Sequence, residues 1–329
     1  MERVMHDTLS RVFDDLTLVS RTAFRLADGP VIASDPSGDV AGLVPLLTNA
    51  LYTAAYANEY GIAPDVPQFA PDHPLRLAHA NQSRDIWDPG WQVAAVQPDG
   101  AISALKDGVE MVVPPGGFIG SQGPWTPTAR GAMVTVFRPG GSHTVQAGFY
   151  YVYGEAPIHV WSDHALFRFY FNTTPQGAVA LVAWVSQLLN AYSVPFRMKA
   201  LTDPTHYTRA DSAVLYVSRR FNGIVSRLLL AGKPEDAVLK PRVPLFTYPL
   251  AEGVGVADDP GNAESFGMQR CRLVAEAVLG LSATGQADTA ARLQAVEDRF
   301  VQAGLNPDAP WRGTGRSDMF DDLRAGEAA

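Results

Sequence analysis

The chain has 329 residues, 47% of them hydrophobic, with a net charge of −8 and a mean hydropathy of −0.03. That length and apolar content support a sizeable core in about two domains or one large one, and exclude a mainly disordered chain. The acidic balance argues against nucleic acid or a membrane surface as partner, and a single cysteine, Cys271, excludes disulfide staples and cysteine-rich zinc sites.

The first residues, Met-Glu-Arg-Val-Met-His-Asp, lack the apolar core of a secretory signal, and the longest apolar run, Ala178 to Val185, is too short to span a bilayer. A cytoplasmic protein is the expectation. Residues 3–27 and 39–59 carry apolar positions at helical spacing, separated by a turn-rich stretch, and residues 60–90, with five prolines, read as an irregular connection. Short strands follow over 91–96, 101–105 and 109–113, then a hairpin-like pair over 132–137 and 145–153 around Pro139-Gly140-Gly141.

The pattern then becomes regular: strand 165–172, helix 176–192, strands 194–201 and 213–218, helix 220–237, an extended stretch 243–256, and helices 266–281 and 287–303, before a polar, loose tail from 306. The class is α+β, a central, mostly antiparallel sheet flanked by helices. Residues 1–125 form an N-terminal helical and β-meander region, a candidate for peptide binding; 126–305 form the core, and 306–329 the tail.

Three strands set polar groups opposite apolar ones with a period of two. Arg168, Tyr170 and Asn172 share one face of Phe167–Asn172; Arg197 and Lys199 oppose Phe196 and Met198; Tyr216 opposes Leu215, just after Arg209 and Asp211. Each strand alone reads as a solvated face. Together they would gather Arg168, Tyr170, Lys199, Arg209 and Tyr216 on one surface. Residues 161–242 hold 10 Lys and Arg against 5 acids, a local +5 in an acidic chain, which suits a small, strongly anionic group. Only 4 lysines occur in the chain, so one in a patterned strand stands out. Cys271 reads as a small core residue, and Gly253-Val-Gly255 lacks the third glycine of a dinucleotide loop. His159, Asp163 and His164 lie close in one loop, but such neighbours rarely ligate a metal, and no metal or cofactor site is assigned.

The segments F-R-F-Y-F-N (167–172), P-F-R-M-K (195–199), Y-T-R-A-D-S-A-V-L-Y-V (207–217) and E-S-F-G-M-Q-R-C (264–271) resemble the HopA-type effector family. That family includes plant-pathogen type III effectors and the lyases of class V lanthipeptide and thioamitide pathways. The chain is more distantly similar to the phosphothreonine lyase effectors. That similarity implies a phosphothreonine-lyase-like core with Lys199 as base and Arg209, Tyr216 and the C-terminal Arg270 around the phosphate. Arg168 and Tyr170 resemble that family's Lys-x-His pair, with Tyr170 standing where the acid is a histidine. His206 is the rival acid, and Asn172 joins the substrate-binding set through its shared face.

What the resemblance implies is elimination of phosphate from phosphoserine or phosphothreonine of a ribosomal precursor peptide, giving dehydroalanine or dehydrobutyrine without a cofactor. The chain has no kinase motif, so a separate kinase would phosphorylate that peptide. The alternatives are a secreted effector acting on host phosphoproteins and a non-catalytic phosphopeptide-binding module.

Overall fold

The structure is a computed structural model describing residues 2–121, 123, 128–159, 166–261, 264–281 and 288–316. Helix α1 (Glu2–Asp15) leads into the hairpin β1 (Leu16–Ser20) and β2 (Ala23–Leu26), which β3 (Ile32–Ala33) extends to a three-stranded sheet. The helix read over 3–27 therefore ends halfway. Leu16, Leu18, Phe24 and Leu26 also satisfy strand alternation, and the cross-strand pairs Leu16–Leu26 and Leu18–Phe24 realise it. A 3-10 turn, Val40–Leu43, runs into α2 (Val44–Leu51) and then a π-helical turn, Tyr52–Ala57. This 18-residue run is long and apolar enough to cross a membrane by composition alone; here it buries Leu43, Leu47, Leu51 and Tyr56.

The stretch 60–90 is only partly irregular, because it contains α3 (His73–Ala80). Pro74 sits in that helix's first turn, where its missing N–H costs nothing, and His73 and Leu77 are buried. The meander follows as β4 (Ile86–Val96), β5 (Ile102–Lys106), β6 (Val109–Val113), β7 (Phe118–Gly120) and β8 (Met133–Arg138), in sheet order β6-β5-β4-β8-β7. It has its own small hydrophobic cluster around Trp91, Ile102 and Val136.

The pair expected over 132–137 and 145–153 does not form. Instead β9 (Gly141–Ser142) and β10 (Phe149–Tyr153) leave the meander and join a second sheet. The crossing needs both glycines: a Cβ on Gly140 would collide with the Ser83 backbone, and one on Gly141 with the Tyr150 hydroxyl.

That second sheet continues with β11 (Leu166–Phe171), β12 (Phe196–Leu201), β13 (Ala213–Ser218), β14 (Tyr248–Ala251) and β15 (Val254–Asp258), in the order β14-β15-β11-β13-β12-β10-β9. Every pairing between its described strands is antiparallel. Helix α4 (Pro175–Ala191) packs on β10 and β12, and Thr174 caps it by accepting from the Gly177 N–H. Helix α5 (Asn222–Leu230) stops before Gly232-Lys233-Pro234, shorter than the expected 220–237. Helix α6 (Phe266–Leu281) packs on α2 and on α7 (Thr289–Gln302). The class is α+β, as the sequence predicts.

The larger hydrophobic cluster spans α1, α2, the second sheet, α4, α6 and α7. The segment from 306 is not loose over its described part. Ala309 and Trp311 are buried, and the Asp258 N–H donates to the Trp311 carbonyl at 2.9 Å.

Candidate functional site

Strand alternation sorts the second sheet into two faces. Phe167, Phe169, Phe171, Phe196, Met198 and Leu215 turn into the core and are essentially inaccessible. On the other face, register places Arg168 beside Tyr216 and Tyr216 beside Arg197. One pair further along, Tyr170, Val214, Lys199 and Tyr151 form the next row. This face is not simply solvated. The π-helical turn and the start of α6 roof it, leaving a cavity of about 420 Å³ lined by Tyr52, Tyr56, Gln146, Phe149, Arg168, Tyr170, Lys199, Arg209, Asp211, Val214, Tyr216 and the first turn of α6.

Lys199 extends over the Phe149 ring, 4.2 Å from its centroid, and its Nζ donates to Gln146 Oε1 at 3.0 Å. Burial pulls its pKa down to about 8, and the guanidiniums of Arg168 and Arg209 add to the effect. Arg168 lies 5.3 Å from the Tyr216 centroid and is fixed by Asp259, Nε to Oδ2 at 2.7 Å and Nη2 to Oδ2 at 2.6 Å. Arg209 makes a fork with buried Asp211, Nε to Oδ1 at 2.8 Å and Nη2 to Oδ2 at 2.9 Å, while its Nη2 also donates to the Tyr52 hydroxyl at 2.8 Å. Tyr52 in turn donates to Asp211 Oδ2 at 2.8 Å.

Tyr170 is 3% exposed, with the Tyr56 hydroxyl and the Arg168 guanidinium beside its own hydroxyl. Burial raises its pKa, against the Arg168 charge nearby, so the phenol is protonated at neutral pH. Arg168, Tyr170, Lys199 and Tyr216 are thus brought together as their strand positions predict, and Arg209 joins them from the loop before β13.

Three predicted residues are not brought there. Asn172 is buried beyond the cavity; its Nδ2 donates to the Arg242 carbonyl at 2.8 Å, a brace for the chain before β14. His206 is exposed at the end of the 3-10 turn Pro204–His206, outside the lining. Arg270 is 1% exposed, with Nε donating to the Pro310 carbonyl and Nη2 to the Arg312 carbonyl, both at 2.8 Å. It anchors the C-terminal segment, so Arg270 does not join Arg209 and Tyr216 around one anion as the resemblance implies. Asp163 and His164 lie outside the described residues. Cys271 is buried in α6, as expected of a core residue.

Sequence reasoning missed the roof. Tyr52 and Tyr56 stack at 5.0 Å and 22°, and Gly267 lets them lie against α6, since a Cβ there would overlap both rings. Replacing Gly267 with Ala is expected to cost about 1–3 kcal/mol of stability, the usual penalty for overpacking. Thermal unfolding of that variant measures it, and an unchanged midpoint would show that the roof yields freely. The i, i+4 tyrosines and Gly267 within the E-S-F-G-M motif were the signals available.

The model of the HopA1 effector protein family matches residues 141–312. A solved effector protein from Pseudomonas syringae pv. tomato strain DC3000 is 23% identical over 50% of this chain and 62% of its own length, with a TM-score of 0.39. Another, from Pseudomonas syringae pv. syringae strain 61, is 12% identical over 80% of this chain and 89% of its own, with a TM-score of 0.44. No curated protein matches the chain. With the matched segment covering over half of its 329 residues, including Arg168, Lys199, Arg209 and Tyr216, the chain belongs to the HopA1 effector protein family.

Proposed function

We propose that this protein is a phosphoserine/phosphothreonine lyase acting on a phosphorylated peptide. The observation that carries the reading is Lys199, a lysine inside a cavity flanked by two fixed arginines, with its pKa drawn to about 8. A buried amine of that kind is a base near neutral pH, a role the lysine of a simple phosphate-binding surface does not need. The non-catalytic binding module is the weaker reading for that reason.

In the proposed reaction, neutral Lys199 takes the Cα proton of the phosphorylated residue. The C–H electron pair becomes the Cα=Cβ bond, and the Cβ–O bond breaks to release phosphate. Arg168 and Arg209, already oriented by Asp259 and Asp211, offset the charge that develops on the leaving group. Tyr170 hands its proton to the departing phosphate, which leaves as hydrogen phosphate, and is reprotonated afterwards. The products are dehydroalanine from serine and dehydrobutyrine from threonine. The first turn of α6 also borders the cavity, and its positive dipole end favours an anion there. We propose a ribosomal precursor peptide, phosphorylated by a separate kinase, as the substrate.

Incubating a phosphothreonine peptide with the protein and following it by mass spectrometry tests this. Loss of phosphoric acid supports the reading; loss of the phosphoryl group alone, leaving threonine, would make the protein a phosphatase. Tyr170→Phe is expected to slow elimination by about 10²-fold or more, in the range of a lost general acid, while His206→Ala leaves the rate close to wild type. The reverse ranking would move the acid role to His206.

A further inference from the structure

In the proposed elimination, Lys199 serves the Cα proton, while Arg168, Arg209 and Tyr170 serve the phosphate. One developing charge is left over. As the proton leaves, the C–H electron pair spreads onto the carbonyl oxygen of the reacting residue before it settles in the Cα=Cβ bond, and that oxygen needs a hydrogen-bond donor. Gln146 borders the cavity next to the base and has a donor to give.

Gln146 opens the turn into β10. The Phe149 N–H donates to the Gln146 carbonyl at 3.2 Å, and Gly148 takes the φ of +80° that glycine supplies at the third position of such a turn. The Thr202 N–H donates to the Gly148 carbonyl at 3.0 Å, which ties the turn to the end of β12, the strand that carries Lys199. The Gln146 side chain is exposed but held at one end. Its Oε1 accepts from Lys199 Nζ at 3.0 Å and from the Tyr151 hydroxyl at 2.9 Å. A lysine ammonium carries donors only, so the amide oxygen is the atom that faces it, and the two N–H groups of Nε2 are turned to other partners. Within a planar amide the oxygen and nitrogen are about 2.2 Å apart, so Nε2 lies within about 5 Å of Lys199 Nζ. One enolate spans that separation, with the base about 3 Å above Cα and the donor about 3 Å from the oxygen.

We propose that Gln146 Nε2 donates a hydrogen bond to the carbonyl oxygen of the residue that loses phosphate, which makes Gln146 a further catalytic residue. This rests on the reading of Lys199 as the base of a phosphopeptide lyase. Gln146 transfers no proton: it stabilises the negative oxygen until the electron pair returns, the Cα=Cβ bond closes, and the Cβ–O pair departs with phosphate. A carboxylate at this position would accept from Lys199 equally well, but it would hold the lysine as an ammonium and repel the enolate. The neutral amide does neither.

The test compares wild type with Gln146→Met, which keeps the side-chain length and removes the donor. The probes are a phosphothreonine peptide and the same peptide with an ester in place of the amide that follows phosphothreonine. The ester makes the Cα proton more acidic, so its enolate needs less support. Turnover is read by mass spectrometry as loss of phosphoric acid, and binding by fluorescence anisotropy. The expected result is a fall in kcat of about 10²-fold on the amide peptide, the lower end for one lost oxyanion donor, shrinking to about tenfold or less on the ester, with binding little changed. An equal loss on both peptides makes Gln146 a residue that only positions Lys199 and overturns the proposal. Turnover of the amide peptide by the variant within about threefold of wild type overturns it too, with the lyase reading intact. If wild type eliminates phosphate from neither peptide, the lyase reading falls and this proposal falls with it.

Discussion

Lys199→Met is expected to lower elimination by about 10³-fold, within the range for loss of a general base, while phosphopeptide binding survives. The variant should not lose stability. In the folded protein the lysine pKa is held below its ordinary value of 10.5, at about 8. Between those two pH values the unfolded chain binds more protons, so wild-type stability rises with pH through that window. At pH 7 the fold carries a desolvated ammonium, and methionine removes that penalty while keeping most of the side-chain volume. Unfolding midpoints at pH 7 therefore stay level or rise, which separates loss of chemistry from loss of fold.

The wild-type pH profile follows from the same group. The base must be neutral, so kcat/KM rises with pH and levels off above about pH 8. Bound phosphate dianion stabilises the ammonium, so the profile of kcat lies further to the alkaline side. Near-normal turnover by Lys199→Met, or a profile flat between pH 6 and 9, would overturn the assignment of Lys199 as base.

The central sheet and its polar face were legible because period-two alternation is a local signal. Phe167, Phe169 and Phe171 fix which way Arg168 and Tyr170 point, and Phe196 and Met198 do the same for Lys199. Neighbouring strands then need only pair antiparallel to assemble the face. Arg270 misled for the opposite reason. Its place in a helix next to the cavity's wall is visible in sequence, but its direction depends on the carbonyls of Pro310 and Arg312, some 40 residues away. Asn172 continues the alternation of β11 past the strand's end, where the backbone turns to bond Gly253 and Lys240 and the face is no longer the same. The roof was missed because the i, i+4 spacing of Tyr52 and Tyr56 is shared by ordinary buried helix residues, and nothing in it says which surface they cover. Their function is set by α6, more than 200 residues downstream.

The largest structural effect is expected at Asp211, where the roof and the sheet are tied. Its carboxylate is 6% exposed and is held by both the Arg209 fork and the Tyr52 hydroxyl, a bond spanning 159 residues of sequence. Burial alone would raise its pKa; the Arg209 charge and the hydrogen bonds from Arg209 and Tyr52 outweigh that and hold it below the usual carboxylate range. Breaking a buried pair from one side costs about 3–5 kcal/mol, and because Arg209 keeps partial access to water the lower end applies to Asp211→Ala. For a chain of 329 residues, at about 2.1 cal/mol/K of unfolding entropy per residue, that is a fall of roughly 4–5 °C in the unfolding midpoint. The difference from wild type should shrink in acid, because a carboxylate with a lowered folded pKa stabilises the fold above its unfolded value of 3.8 and loses that contribution as pH falls through the folded one. Arg209→Met strands the carboxylate instead and should cost at least as much, while the double variant recovers part of the loss, giving a coupling energy of about 1–3 kcal/mol. Elimination should also fall in Asp211→Ala, since Tyr52 comes from outside the matched segment 141–312 and only Asp211 and Arg209 hydrogen-bond its hydroxyl among the described contacts. Additive single and double variants, or a midpoint unmoved at pH 7, would show that this network does not hold the roof in place.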